Sequence, residues 1–142
     1  MRNPSATKWL LALLTVATLG QAAWISFSGE SPPQLSKVVN KTPIGQNGFV
    51  YEVQSDSGGA TVPFVYFYYV LERQASDEGA LSALREKSPF LATRQSGAIV
   101  SVSGNRIRAH TQDTVYSFSS LAVYGKKDQT AVVIIDLDSV QP

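Results

Sequence analysis

Residues 62–73, VPFVYFYYVLER, are the stretch on which the fold turns. They do not alternate: Val65, Phe67, Tyr69 and Leu71 on one parity are matched by Phe64, Tyr66, Tyr68 and Val70 on the other. Successive side chains of a strand point to opposite faces, so a run that is apolar on both parities belongs in a central strand covered on both sides. Its β-branched and aromatic residues argue against a helix, and Pro63 fits only near the strand's start.

Working outward toward the C-terminus, a helix follows. Ser76 can cap it, Asp77 and Glu78 suit the positive end of its dipole, and Arg85 and Lys87 suit the other end. Ala80, Leu81, Ala83 and Leu84 form a narrow apolar stripe, and Pro89 prevents continuation. The remainder reads as strands at 90–94, 98–103, 106–111, 114–124 with a bend, and 130–139. Gly104-Asn105 is a two-residue hairpin signal, since both residues tolerate positive φ, and Lys126-Lys127-Asp128 predicts a second hairpin. Working toward the N-terminus, the polar loop 55–61 holds Gly58-Gly59. Residues 49–54 alternate Phe49, Tyr51 and Val53 with Glu52 and Gln54, a half-buried strand, and a first strand at 35–40 precedes the turn-rich PIGQNG of 43–48. One helix among seven or so strands predicts an α+β domain over residues 35–142: one small, mostly antiparallel sheet with a single covering helix. A β-sandwich with a stray helix is the alternative.

Ahead of the domain, residues 9–27 read WLLALLTVATLGQAAWISF, with fourteen of nineteen positions apolar. The uncharged run 9–29 would span about 31 Å as a helix, close to the roughly 30 Å of a bilayer's hydrocarbon core. Arg2 and Lys8 precede the run, and Trp9 and Trp24 are placed to sit at the two membrane interfaces. The expectation is a signal-anchor over residues 1–29, single-pass in a bacterial inner membrane, with the N-terminus cytoplasmic and the domain periplasmic. Residues 30–34, ESPPQ, make a proline-containing spacer. The alternative is a signal peptide cleaved after Ala22, leaving a soluble periplasmic or secreted domain; against it, Trp24, Ile25 and Phe27 carry apolar character past that site.

The chain of 142 residues has no cysteine, so an exported domain must be stabilised by its core alone, which fits a bacterial periplasm better than eukaryotic secretion. From Glu30 onward ten Lys and Arg stand against eleven Asp and Glu, a balance that implies no nucleic-acid partner. The sequon Asn40-Lys41-Thr42 is short enough to arise by chance.

Little in the domain points to catalysis. His110 is the one histidine, which together with the missing cysteines excludes a zinc site, and no Gly-x-Ser-x-Gly elbow accompanies it. Ser57-Gly58-Gly59 lacks the rest of a phosphate loop. No cofactor, metal or catalytic residue is expected. Asp136 and Asp138 share one face of a strand after VVII, a stretch that reads as buried, and two carboxylates are too few for a cation. Arg106, Arg108 and His110 form a basic stripe on one parity of another strand. That stripe is an ordinary solvent face, or pairs across strands with Asp136 and Asp138, or meets an acidic partner. Tyr66 and Tyr68 are further candidates for a protein interface if the helix leaves them uncovered.

The expected function is therefore protein binding outside the cytoplasm, without enzymatic activity. In layout the chain resembles small anchored immunity or inhibitor proteins that neutralise a toxin in the periplasm. The likeness implies a toxin as partner and transfers no site residue. An accessory subunit of an envelope or secretion machine is the second reading, and a hydrolase or carbohydrate-active enzyme is the third.

Overall fold

The computed structural model of the chain describes residues 4–27, 34–56, 63–126 and 129–140, with side chains at all of these except 4–6, 25–27 and 126. Most of the expected spacer, at 30–33, Gly58-Gly59, Val62, and Lys127 and Asp128 of the expected second hairpin lie outside the described residues. Two compact units result, Met1–Pro32 and Pro33–Pro142.

The first unit is a helix, α1 (Pro4–Phe27). Its side chains are exposed throughout 7–24, the leucines as much as the rest. Thr15 and Thr18 turn their hydroxyls back onto the carbonyls of Leu11 and Leu14, at 2.9 and 3.0 Å, which satisfies them within the helix itself. Among the described residues no helix is long and apolar enough to cross a membrane. The spanning helix expected at 9–29 is thus not shown: Lys8, Thr15, Thr18 and Gln21 dilute the leucine-rich centre of the described stretch.

The second unit runs β1 (Leu35–Ile44), β2 (Gly48–Ser55), β3 (Val65–Glu72), α2 (Asp77–Leu84), β4 (Leu91–Thr93), β5 (Ile99–Ser103), β6 (Arg106–Thr111), β7 (Val115–Phe118), β8 (Leu121–Lys126) and β9 (Gln129–Ser139). These strands form two sheets where one was expected. The first has the order β1-β2-β3-β4-β7 and the second β5-β6-β9-β8. Every pairing is antiparallel except β6 with β9, which is parallel.

The double-sided apolar run explains why two sheets are needed. Tyr69 and Leu71 of β3 pack with Tyr51 and Val53 beneath Ala80 and Leu84 of α2. Tyr68 and Val70, on the other face, pack with Val50, Phe90 and Leu91 against Ile107, Ala109, Val133 and Ile135 of the second sheet. One eight-residue helix covers one face only, and the second sheet closes the other. The single-sheet expectation is corrected accordingly, and both the covering helix and the sandwich are present.

Local expectations fare unevenly. Ser76 caps α2 by accepting a bond from the Gly79 amide at 3.1 Å, but the helix ends at Leu84, so Arg85 and Lys87 fall beyond its last turn. Strand β2 is buried on both parities, Glu52 and Gln54 included, and is not the half-buried strand that its alternation suggested. Phe64 lies before β3 and is exposed. The bend in 114–124 is a crossing between sheets: β7 belongs to the first and β8 to the second. At the crossing the Ser119 amide donates to the Phe90 carbonyl at 2.7 Å, and the Ser120 carbonyl accepts from the Ile135 amide at 2.8 Å.

Gly104 and Asn105 do close the β5–β6 hairpin, with Ser103 opposite Arg106. Gly104 has φ +58°, and no non-glycine residue among those described has positive φ, the pattern of a type II′ turn. A Cβ at Gly104 would meet nothing within 4 Å. Gly104→Val should therefore lose only the backbone term, about 1 kcal/mol. A shift of the urea midpoint of the full chain measures it, and an unchanged midpoint would refute the turn.

Candidate functional site

The outer face of the second sheet gathers most of the residues that the sequence singles out. Strand β6 presents Arg106, Arg108 and His110, and the parallel register places Arg108 beside Asp136 and His110 beside Asp138 of β9. Arg106 Nη1 donates to Asp136 Oδ2 at 2.8 Å, and His110 Nδ1 lies 3.1 Å from Asp138 Oδ2. Both basic and acidic clusters are thus used on each other, the cross-strand arrangement among the three readings. Arg108 has no ion-pair partner among the described residues. It lines an open groove of about 610 Å³ with Val100, His110, Asp136, Leu137 and Asp138. No group of three metal-ligating side chains occurs among the described residues.

Exposed ion pairs contribute little, so Arg106→Glu should cost at most about 1 kcal/mol. Adding Asp136→Arg should return part of that loss, because the swap restores opposite charges across the same two strands. Equal loss in the single and double variants, read from denaturation midpoints, would show that the two side chains do not interact.

Beside this stripe the same face is apolar. Leu121 of β8 stands opposite Ile134 of β9, and Val123 opposite Val132. Leu121 and Val123 are 55% and 54% exposed, and Val132 and Ile134 are 49% and 36%. The VVII stretch that reads as buried is buried on one parity only, at Val133 and Ile135. The sequence carried the signal, since four consecutive apolar residues in a strand must send two to each face. What it did not show is that none of the domain's described residues covers the second face.

The tyrosines divide. Tyr68 is fully buried: its hydroxyl donates to the Gln95 carbonyl at 2.9 Å and accepts from the Ala98 amide at 3.0 Å. It is therefore a core residue and presents no surface to a partner, a correction to its candidacy. Tyr66 is half-buried against the core between the sheets. Trp9 and Trp24 lie exposed on α1.

Around Tyr68 lies a polar cluster that the sequence reading missed. Glu52 Oε1 accepts from Ser96 Oγ at 2.6 Å and from the Gly97 amide at 2.9 Å, fixing the connection between β4 and β5. Thr93 and Thr111 meet through their hydroxyls at 3.2 Å, and Gln95 Oε1 accepts from the Gln112 amide at 2.7 Å. These bonds tie the first sheet to the second.

Burial pushes the Tyr69 hydroxyl up to about 12 and raises that of Tyr68 as well, through burial first, against the lowering effect of its bond from Ala98. A phenol with a raised folded pKa contributes stability that is complete below the unfolded value of about 10 and lost as pH climbs through the folded one. The fold should therefore weaken between about pH 10 and 12, and Tyr69→Phe should flatten that loss in alkaline titrations followed by circular dichroism.

Comparison of the chain with protein-family models, with curated proteins and with solved structures returns no match in any of the three.

Proposed function

We propose that this chain is a non-enzymatic protein-docking module, delivered to the outside of the cytoplasm by its N-terminal helix and acting through the outer face of its second sheet. The observation that carries the reading is the exposed quartet Leu121, Val123, Val132 and Ile134, paired across two strands and bordered by the Arg106–Asp136 ion pair and Arg108. An apolar centre with a charged margin is the anatomy of a protein interface. Support for delivery comes from the uncharged run 9–29, the exposed leucines of α1, and threonine hydroxyls satisfied inside the helix. A small anchored inhibitor of a periplasmic toxin is a role of this kind. Nothing specific in the fold favours an enzyme or a machine subunit over it.

The test uses the full chain, extracted from its native membrane or periplasmic fraction in mild detergent and sized by sedimentation. The wild type should travel with a stoichiometric protein companion. The double variant Val123→Lys, Val132→Glu should melt at nearly the same temperature, because both positions are exposed and the new charges are opposite in sign across the paired strands, and travel alone. A variant that keeps the companion would sink the face as the docking site.

A further inference from the structure

The two sheets have four edges, and three are guarded against pairing with another strand. β1 carries Lys37, Lys41 and Pro43 and two register shifts, β5 has a shift between Ile99 and Ser101, and β7 is four residues long beside a shift at Ala92/Thr93. Such charges, prolines, bulges and short lengths are how edges are blunted. β8 is the least guarded: it pairs with β9 at six consecutive positions without a shift, holds no proline, and carries its one charge, Lys126, at its last position.

The bond from the Ile135 amide to the Ser120 carbonyl fixes which groups of β8 point outward. Ser120 and Ile135 form a hydrogen-bonded pair, so by alternation Ala122 and Tyr124 turn their backbone groups to β9, while Leu121 and Val123 turn theirs to the open edge. Ser119 Oγ occupies those of Leu121, donating to its carbonyl at 2.8 Å and accepting from its amide at 3.4 Å. Val123 keeps its N–H and C=O facing outward. Along this edge runs a groove of about 270 Å³, floored by Val70, Phe90 and Ala122 and walled by Lys87, Ser88 and Pro89.

We propose that the β8 edge and this groove take an extended segment of a partner protein, added as a fifth strand to the second sheet, with an apolar side chain in the groove and an acidic one facing Lys87. Strand addition draws its affinity from the backbone bonds and its selectivity from alternate side chains. Inward side chains of the added strand would enter the groove, and outward ones would extend the apolar face of Leu121 and Val123. Lys87 is exposed and has no ion pair among the described residues, so the complementary charge is negative. Residues 87 to 90 line the groove beside the edge, so an added strand would lie against them as well as against β8. The proposal rests on the docking-module reading and names its partner's chemistry.

The probe is a displayed library of random nonapeptides, panned on the full chain. Enriched peptides should alternate apolar and polar residues, carry Asp or Glu, and slow hydrogen exchange at the Val123 amide. Val123→Pro removes that outward N–H without touching a β8–β9 bond. It should weaken the selected peptides at least tenfold with an unchanged melting temperature, and Lys87→Glu should switch enrichment to Lys- and Arg-bearing peptides. No enrichment, or binding indifferent to both changes, overturns the proposal. So does a dimer of the chain that Val123→Pro dissolves, since the occupant is then a second copy. A native companion still carried by the Val123→Pro variant but lost from Val123→Lys, Val132→Glu would overturn the edge alone and leave the docking face standing.

Discussion

Gly125→Ala should cost about 3 kcal/mol or more, enough to unfold a domain of ordinary marginal stability. Gly125 adopts φ +121°, a region that residues with a Cβ rarely enter, and it does so just where β8 turns back into β9. A Cβ there would overlap the Gln129 carbonyl oxygen and lie 3.1 and 3.2 Å from the Gln129 carbonyl carbon and the Thr130 Cα. Those atoms are backbone of the paired strand and have no rotamer by which to yield. Gly104→Val, at positive φ but facing open space, isolates the conformational part of the same penalty. Denaturation of the two variants side by side should show the alanine at 125 to be the more damaging, although it is the smaller residue. A native-like midpoint for Gly125→Ala would show that the β8–β9 hairpin closes differently.

Glu52→Ala should cost about 3 kcal/mol, part from the cavity and part from the orphaned Gly97 amide. Glu52 is 4% exposed in the middle of β2, opposite Tyr68 in β3, and its bonds to Ser96 and Gly97 hold the start of the second sheet against the first. Glu52→Met keeps most of the volume and loses the acceptor, so the difference between the two variants separates packing from hydrogen bonding. Glu52→Gln keeps an acceptor and should lose least. If Met and Gln prove equally harmless, the carboxylate does not lock the sheets together.

The buried centre of the fold was legible because it rests on short-range pattern. The double-sided run at β3 required two covers, and the Ser76 cap and Gly104-Asn105 turn are chemistry between near neighbours. Strand membership was not legible, because residues 114–124 read as one bent strand and only long-range bonds at Ser119 and Ser120 divide it between sheets. Glu52 misled for a related reason. Alternation marks one parity as polar, and a carboxylate reads as solvent-facing until Ser96 and Gly97, more than forty residues away, are seen to satisfy it. The site was half legible. The pairing of Arg106 with Asp136 and of His110 with Asp138 was among the readings of the stripe, whereas the neighbouring apolar quartet emerged only once β8 and β9 lay side by side.

The docking face is tested most directly by photo-crosslinking in living cells of the native host, with a photoreactive residue placed at Val132 or Val123 and, as control, at Val39 on the guarded β1 edge. All three positions are exposed, so each substitution should be tolerated and each probe should meet solvent or a partner equally well. One discrete protein adduct is expected, shared by the probes at 123 and 132 and missing at 39. Probes at 123 and 132 that yield no adduct, or the same adducts as the probe at 39, would contradict the docking face.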